Sequence, residues 1–183
     1  MGKAIGLLEL RSIPVGIEAA DTMLKAANVE LLEANPICPG KYSIIITGAV
    51  GAVRSAMESG SRIAGQYLVC RHAINNVHDT VPAAMRGRQK VDRVAAIGVI
   101  ETQAALTAVQ AADYAVKAAN IQLMEVRVAR LLGGKGFVIF TGEISAVRSA
   151  LDSAIQQLQP DGKVTSSCVI PAPHPDLIDK LAK

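Results

Sequence analysis

The hexapeptide Ala-Ile-Gly-Leu-Leu-Glu at residues 4–9 recurs as Ala-Ile-Gly-Val-Ile-Glu at residues 96–101. Residues 18–28 recur at the same separation of 92 as residues 110–120, and both versions contain Ala-Ala-Asp-x-x-x-Lys-Ala-Ala-Asn. Val-Arg-Ser-Ala at 53–56 matches residues 147–150 at a separation of 94, and His78 matches His174 at a separation of 96. Collinear repetition over the whole unit indicates a duplicated domain.

The junction between the two copies lies in a short charged stretch near residues 87–92. We therefore assign residues 1–90 to the first domain and residues 91–183 to the second. Each copy has fewer than 100 residues, which is enough for one small domain.

Runs of branched apolar residues alternate with stretches of helical spacing in each copy. The first copy predicts strands at 3–11, 29–35, 42–47 and 68–73, and helices from Pro14 to Asn28, at 50–64 and at 81–88. In the first helix, Ile17, Ala20, Met23, Leu24 and Ala27 fall at helical spacing. Residues 36–40 predict a turn because two prolines and a glycine interrupt regular structure.

The second copy repeats this pattern. It predicts strands at 94–101, 121–130, 136–141 and 164–170, with helices at 103–119, 144–158 and 175–182. The order β-α-β-β-α-β is that of a ferredoxin-like α+β domain, with an antiparallel sheet and helices on one face.

Composition excludes several classes of function. The net charge is only +3 and basic residues are not clustered, so we expect no nucleic-acid partner. No apolar stretch approaches the ~18–20 residues that span a bilayer, and no signal peptide precedes the first strand, so we expect no membrane partner. Three cysteines form no disulfide framework, which is typical of the cytoplasm.

The repeated blocks, together with Pro-Gly-Lys at 39–41 and Ile-Pro-Ala-Pro-His at 170–174, resemble the bacterial microcompartment shell domain. The resemblance covers nearly the whole chain twice, as in the tandem-domain members of that family. The Ile-Cys-Pro-Gly-Lys turn at residues 37–41 is similar to that of the propanediol-utilisation type. The resemblance implies a homotrimer that forms a pseudohexameric disc, tiles with hexameric shell proteins and encloses enzymes.

The same resemblance places two loops around a central pore. The expected pore-lining residues are Cys38, Pro39, Gly40, Leu131, Leu132, Gly133 and Gly134. Gly-Gly-Lys lacks the spacing of a phosphate-binding loop, and no Ser or Thr follows Lys135, so we do not expect nucleotide binding.

Cys38 is the candidate metal ligand. Taken alone, it is better explained as a small residue in a tight turn. On a three-fold axis, one thiolate from each chain would give three soft ligands, which suit an iron–sulfur cluster. The resemblance implies the same, because the propanediol-utilisation type carries a [4Fe–4S] cluster in its pore. We expect one cluster per trimer, for electron transfer or cluster delivery to encapsulated redox enzymes.

Six residues are expected at the edge of the disc: Lys25, Lys117, Asn76, His78, Ala172 and His174. Each lysine also follows an aspartate by four residues, which is the spacing of a surface ion pair. Many single-domain shell proteins carry an arginine at the position of Ala172, so this chain could depend on hexameric partners to tile. We predict buried, inert thiols at Cys70 and Cys168, and structural roles for Glu9 and Glu101.

Two other functions compete with a shell tile that carries a cluster. One is a tile whose pore passes small metabolites without a cluster, and the other is a trimeric small-molecule sensor. A catalytic domain would need a convergent acid–base or nucleophilic constellation, and the sequence offers none, so we expect no enzyme activity.

Overall fold

The computed structural model describes residues 4–91, 93–129, 132–159 and 164–181. The first copy contains β1 (Ala4–Leu10), α1 (Ile13–Ala26), β2 (Val29–Ile37), β3 (Lys41–Gly48), α2 (Val50–Ala64), β4 (Leu68–Ile74) and α3 (Thr80–Arg86). The second contains β5 (Ala96–Thr102), α4 (Thr107–Ala118), β6 (Gln122–Val128), β7 (Gly136–Gly142), α5 (Ile144–Leu158), β8 (Val164–Pro171) and α6 (Pro175–Leu181).

Each copy forms its own four-stranded sheet. The strand orders are β2-β3-β1-β4 and β6-β7-β5-β8, and every neighbouring pair is antiparallel. The registers repeat as well, since Ile5 lies opposite Thr47 and Ile97 lies opposite Thr141. The predicted α+β, ferredoxin-like order is therefore confirmed in both copies.

Helices α1 and α2 pack closely on the first sheet, and the fit depends on matched side-chain sizes. A Cβ atom on Gly16 would lie 2.5 Å from the ring of Tyr42. The equivalent positions in the second copy hold Ala108 and Gly136, and a Cβ on Gly136 would lie 2.8 Å from the Ala108 Cβ. The large residue therefore faces a glycine in one copy, and two small residues meet in the other, as close packing requires.

Several predicted boundaries differ from the structure by one to four residues, and two of these differences have a clear physical cause. Strand β2 continues through Pro36 and Ile37, although these residues were expected in the turn. A proline is tolerated there because β2 is an edge strand and bonds only to β3. Helix α4 begins at Thr107, not at Gln103, because the chain first turns at Thr102, whose hydroxyl donates to the Ala104 carbonyl at 2.9 Å.

The helix bounds Val50–Ala64 and Ile144–Leu158 are confirmed. Helical spacing also placed Ile17 and Leu24 on the apolar face of α1, and Ala20 and Met23 of that face are indeed buried. Ile17 and Leu24 themselves are exposed. The apolar face of α1 is thus wider than the sheet that it covers.

The chain divides into two compact units that do not coincide with the two repeats. The first unit comprises the chain up to Val77 together with the loop that contains Ala129 and Gly134. The second comprises His78–Val128 and the chain from Lys135 onward. Helix α3 therefore belongs to the second unit, where it packs on β6 and α4. The assignment of residues 1–90 and 91–183 describes the repeats and stays a prediction.

Among the helices within the described ranges, none combines the length and apolar character needed to cross a membrane.

Candidate pore loops and edge residues

The turn between β2 and β3 presents Cys38 to solvent. Ile37 pairs with Lys41 at the end of the sheet, and residues 38–40 form the turn beyond them. Cys38, Pro39 and Gly40 are all exposed, and the Cys38 thiol is free. Gly40 has a φ of 63°, a left-handed conformation that glycine adopts without steric cost.

The corresponding loop of the second copy lies in the same compact unit as this turn. Gly133 is exposed, Leu132 is half-buried and Gly134 is buried, while Leu131 lies outside the described residues. Both glycines have positive φ, 60° at Gly133 and 83° at Gly134. A Cβ on Gly134 would lie 2.9 Å from both Pro39 Cδ and Lys41 Nζ, so the two predicted pore loops pack against each other.

Lys41 joins these loops to the core of the first unit. Its Nζ donates to Glu9 Oε1 at 2.8 Å and to the Gly134 carbonyl at 3.4 Å. Glu9 has no exposed surface, and its Oε2 accepts a long contact of 3.7 Å from the Cys70 thiol. A buried carboxylate needs a cation or other donors to compensate for its lost hydration, and Lys41 supplies the charge.

The second copy has a weaker version of the same ion pair. Lys135 Nζ lies 3.4 Å from Glu101 Oε1, and both side chains are partly exposed. The sequence identified Glu9 and Glu101 as structural but missed their lysine partners. The signal was present, since a glutamate near the end of the first strand and a lysine after the turn recur together in both copies.

Replacing Lys41 by methionine should lower the free energy of unfolding by about 3 kcal/mol, because it removes a directly bonded cation from the buried Glu9 carboxylate. The matched change Lys135→Met should cost less than about 1 kcal/mol, because exposed ion pairs contribute little. Chemical denaturation followed by circular dichroism measures both. Equal losses in the two variants would contradict the assignment of the Lys41 pair as the buried one.

The predicted edge lysines both form the expected ion pairs one helical turn apart. Lys25 Nζ lies 2.5 Å from Asp21, and Lys117 Nζ lies 2.6 Å from Asp113. The two aspartates differ in environment, since Asp21 is exposed and Asp113 is buried. Asp113 Oδ1 also accepts the backbone N–H of His78 at 2.9 Å.

The remaining edge candidates occupy equivalent turns after β4 and β8. Asn76 and Ala172 both have positive φ, 56° and 44°, and both are exposed. The His78 ring lies 2.8 Å from the Thr80 hydroxyl, and the His174 ring lies 3.6 Å from Asp176. Their placement at the edge of a disc stays a prediction.

Cys70 is buried, as expected, but the prediction that Cys168 is buried was wrong. Cys168 lies on β8, an edge strand whose residues 165–168 are all exposed. Its equivalent in the first copy is His72, which is buried. Strand periodicity identifies the position correctly but does not show whether anything covers it.

Across the described ranges, no three His, Cys, Asp or Glu side chains of the single chain come together in a group that could hold a metal ion. Among the predicted pore-lining residues, Cys38 carries the only thiol. One thiol is too few to hold a cluster. A metal centre at Cys38 therefore requires thiols from other chains.

Residues 4–77 and 96–173 each match the BMC domain. Over 174 residues the chain is 42% identical to the bacterial microcompartment shell protein PduT of Citrobacter freundii, with 95% of each chain covered. This chain belongs to the family of bacterial microcompartment shell proteins. The family resemblance drawn from the repeated blocks is confirmed, including its likeness to the propanediol-utilisation type.

Other shell and carboxysome proteins support the tandem architecture. The carboxysome assembly protein CcmO of Synechococcus elongatus is 30% identical over 190 residues, which are 97% of this chain and 68% of that protein. A microcompartment protein structure from Desulfitobacterium hafniense has a TM-score of 0.84 and 39% identity, covering 98% of this chain and 99% of that one. A fused, permuted hexameric shell protein of the RMM microcompartment shares the fold, with a TM-score of 0.64 and 22% identity over 86% of this chain and 82% of that one.

Membership in this family gives the chain a structural role as a shell protein of a bacterial microcompartment, and it places the chain in the microcompartment shell.

Proposed function

We propose that three copies of this microcompartment shell protein close into a ring of six domains, a pseudohexameric tile that acts as structure and not as a catalyst. The observation that carries this proposal is unequal burial at equivalent positions of the two copies. A side chain that is covered in one copy and exposed in the other indicates a surface that a neighbouring chain covers.

The first copy leaves apolar side chains of α1 and β2 uncovered. Ile17 is 55% exposed, whereas its equivalent in the second copy, Val109, is fully buried. Leu31 is 38% exposed, and its equivalent Leu123 is 4% exposed. This difference supports a neighbouring chain that covers the same surface of the first copy.

The second copy leaves a different surface uncovered, on the face of its sheet away from the helices. Leu7 and His72 are buried in the first copy. The equivalent residues of the second copy are Val99, which is only half-buried, and Cys168, which is exposed. This second difference supports a neighbouring chain that covers the sheet face of the second copy.

These two uncovered surfaces lie on different copies and are different parts of the domain, so a contact between chains must join unlike patches. Such heterologous contacts close into rings when each step rotates by a fixed fraction of a turn. Three chains supply the six domains of a hexagonal disc. Shell proteins assemble with other shell proteins, and we propose that hexameric ones surround this tile in the shell.

Replacing Ile17 by glutamate should convert the trimer largely to monomers, because a charge would be buried at the contact between chains. The matched change Val50→Glu should leave the trimer intact, because Val50 and its equivalent Ile144 are both exposed, so this position shows no unequal burial. Analytical ultracentrifugation of both variants measures this. A monomeric Val50→Glu or a trimeric Ile17→Glu would contradict the ring.

We further propose that the pore of the trimer holds one [4Fe–4S] cluster. Cys38 suits this role because it is exposed at the tip of a turn and carries a free thiol. Three chains would supply three thiolates, and the fourth iron would take a ligand from outside the protein. Such a cluster would transfer single electrons across the shell or be delivered to redox enzymes inside it.

Protein purified without oxygen should contain about four irons per trimer and show broad visible absorption, both lost in Cys38→Ala. Cys168→Ala is the matched control, because it removes the other exposed thiol and should retain the iron. Iron and sulfide analysis of the three proteins decides between the candidates. A colourless wild-type trimer would contradict the cluster and favour a pore that passes small metabolites.

A further inference from the structure

The segment that follows the first sheet packs against the second copy. We call residues 78–86 the first tail; it contains α3, which packs on β6 and α4. The backbone N–H of His78 donates to the buried Asp113 carboxylate at 2.9 Å, and Val81 is fully buried. An ionised acceptor makes this a charge-assisted hydrogen bond, which is stronger than one between neutral groups.

A cavity of about 380 Å³ between the first tail and the second copy shows which side chains face each other. His78, Thr80 and Ala83 of the first tail line it together with Val116 and Leu123. The surface that receives the first tail, which we call its seat, therefore combines Asp113 and the C-terminal part of α4 with the start of β6.

The second tail, residues 174–181, is the equivalent segment after the second sheet. His174 corresponds to His78, and Leu177 corresponds to Val81. Leu177 is 38% exposed, whereas Val81 is fully buried, and no described residue of α6 is buried. The C-terminal end of α6 stays with its own copy, since Leu181 packs against the buried cluster of Ile97, Met124 and Ile139. The N-terminal part of this tail, around Leu177, has no such cover.

An equivalent seat is open on the first copy. Asp21 corresponds to Asp113, and it keeps the same lysine partner through its Oδ2 while remaining exposed. Leu24 and Leu31 correspond to Val116 and Leu123, and both are exposed. The first copy thus has the same aspartate and equivalent apolar side chains as the surface that receives the first tail. In the single chain these side chains remain exposed.

We propose that the second tail of each chain seats on α1 and β2 of the next chain. The backbone N–H of His174 donates to Asp21 of the neighbour, and Leu177 packs against its Leu24 and Leu31. This contact is a copy of the one that the first tail makes on α4 and β6. The proposal rests on the trimer proposed above and names the contact that closes it.

The contact also accounts for the difference between the two aspartates. Asp113 already receives its backbone donor from the same chain, whereas Asp21 would receive one only on assembly. Only backbone atoms of His174 take part in the bond, so its imidazole stays available at the expected edge of the disc. The contact adds no unpaired charge, because Lys25 remains bonded to Asp21.

Two variants test which surface of one chain meets which surface of the next. Each variant disrupts only one of the two surfaces, the second tail or its seat. Leu177→Asp damages the tail and keeps the seat, and Leu31→Asp damages the seat and keeps the tail. Both side chains are exposed in the single chain, so each variant should fold, with an unchanged circular dichroism spectrum. Each variant alone should dissociate from the trimer at a concentration at least about tenfold above that of the wild type.

Mixed in equal amounts, the two variants should form a one-to-one heterodimer and no larger ring. The intact tail of the Leu31→Asp chain binds the intact seat of the Leu177→Asp chain. The altered seat of the first chain and the altered tail of the second cannot bind a further chain. Native mass spectrometry distinguishes the two chains and their complexes. A wild-type trimer with no heterodimer in the mixture would overturn the tail contact while leaving the shell tile standing. A monomeric wild type would instead overturn the trimer itself.

Asp21→Ala tests the polar half of the contact. It should weaken the trimer by about tenfold in dissociation concentration, whereas Lys25→Ala, which keeps the acceptor, should weaken it by less than about threefold. Equal effects of the two changes would show that the surface ion pair matters and that the backbone bond does not form.

Discussion

The structure depends on one asymmetry between the two copies of the domain. Apolar positions that are buried in one copy are exposed at the equivalent place in the other. A partly exposed Ile17 or Leu31 forgoes part of the ~1.5–3 kcal/mol that complete burial of such a side chain contributes, which Val109 and Leu123 obtain in the second copy. The second copy in turn exposes strand β8, whose equivalent β4 is largely covered in the first. Each copy thus covers a surface that the other exposes, and the proposed ring would cover both.

Duplication within one chain also lets the two loops at the predicted pore diverge. The first loop carries an exposed thiol, and Lys41 ties it to a fully buried glutamate. The second loop has two glycines with positive φ, and its own lysine pair is half-exposed. A pore built from such chains has three-fold symmetry in its chemistry even though the six domains share one fold. Three identical thiols on an axis are the arrangement that the cluster proposal requires.

Most of the fold could be predicted from the sequence, because periodicity within each copy gives the order of helices and strands along the chain, and that order is typical of one sheet topology. Helices α2 and α5 begin and end where helical spacing predicts. Periodicity does not show which other surface, if any, packs against an apolar face. Cys168 was expected to be buried, and helical spacing placed Ile17 and Leu24 on the apolar face of α1, yet all three are exposed in the single chain. Pro36 was misplaced for a related reason, since a proline fits a strand only at an edge, and edges follow from sheet order.

The site was predictable in its parts but not in its connections. Cys38 and the two loops were identified from the turn residues and the family resemblance, and the edge lysines from their spacing to aspartate. The Lys41–Glu9 ion pair, the packing of Gly134 on Pro39 and the His78–Asp113 bond join residues far apart in sequence. Only the fold brings those groups together, and the His78–Asp113 bond supplies the geometry of the proposed ring-closing contact.

The most direct test of the closed ring is a cross-linking measurement between positions 25 and 174. One chain would carry Lys25→Cys and His174→Cys, which leaves the Asp21 acceptor in place, with Cys38 and Cys168 changed to serine so that Cys70, which is buried, is the only natural thiol left. A short bis-maleimide should give a ladder on a denaturing gel that ends at three chains, because the third link closes the ring. A ladder that continues beyond three chains, or monomers alone from a sample that sediments as a trimer, would contradict the account.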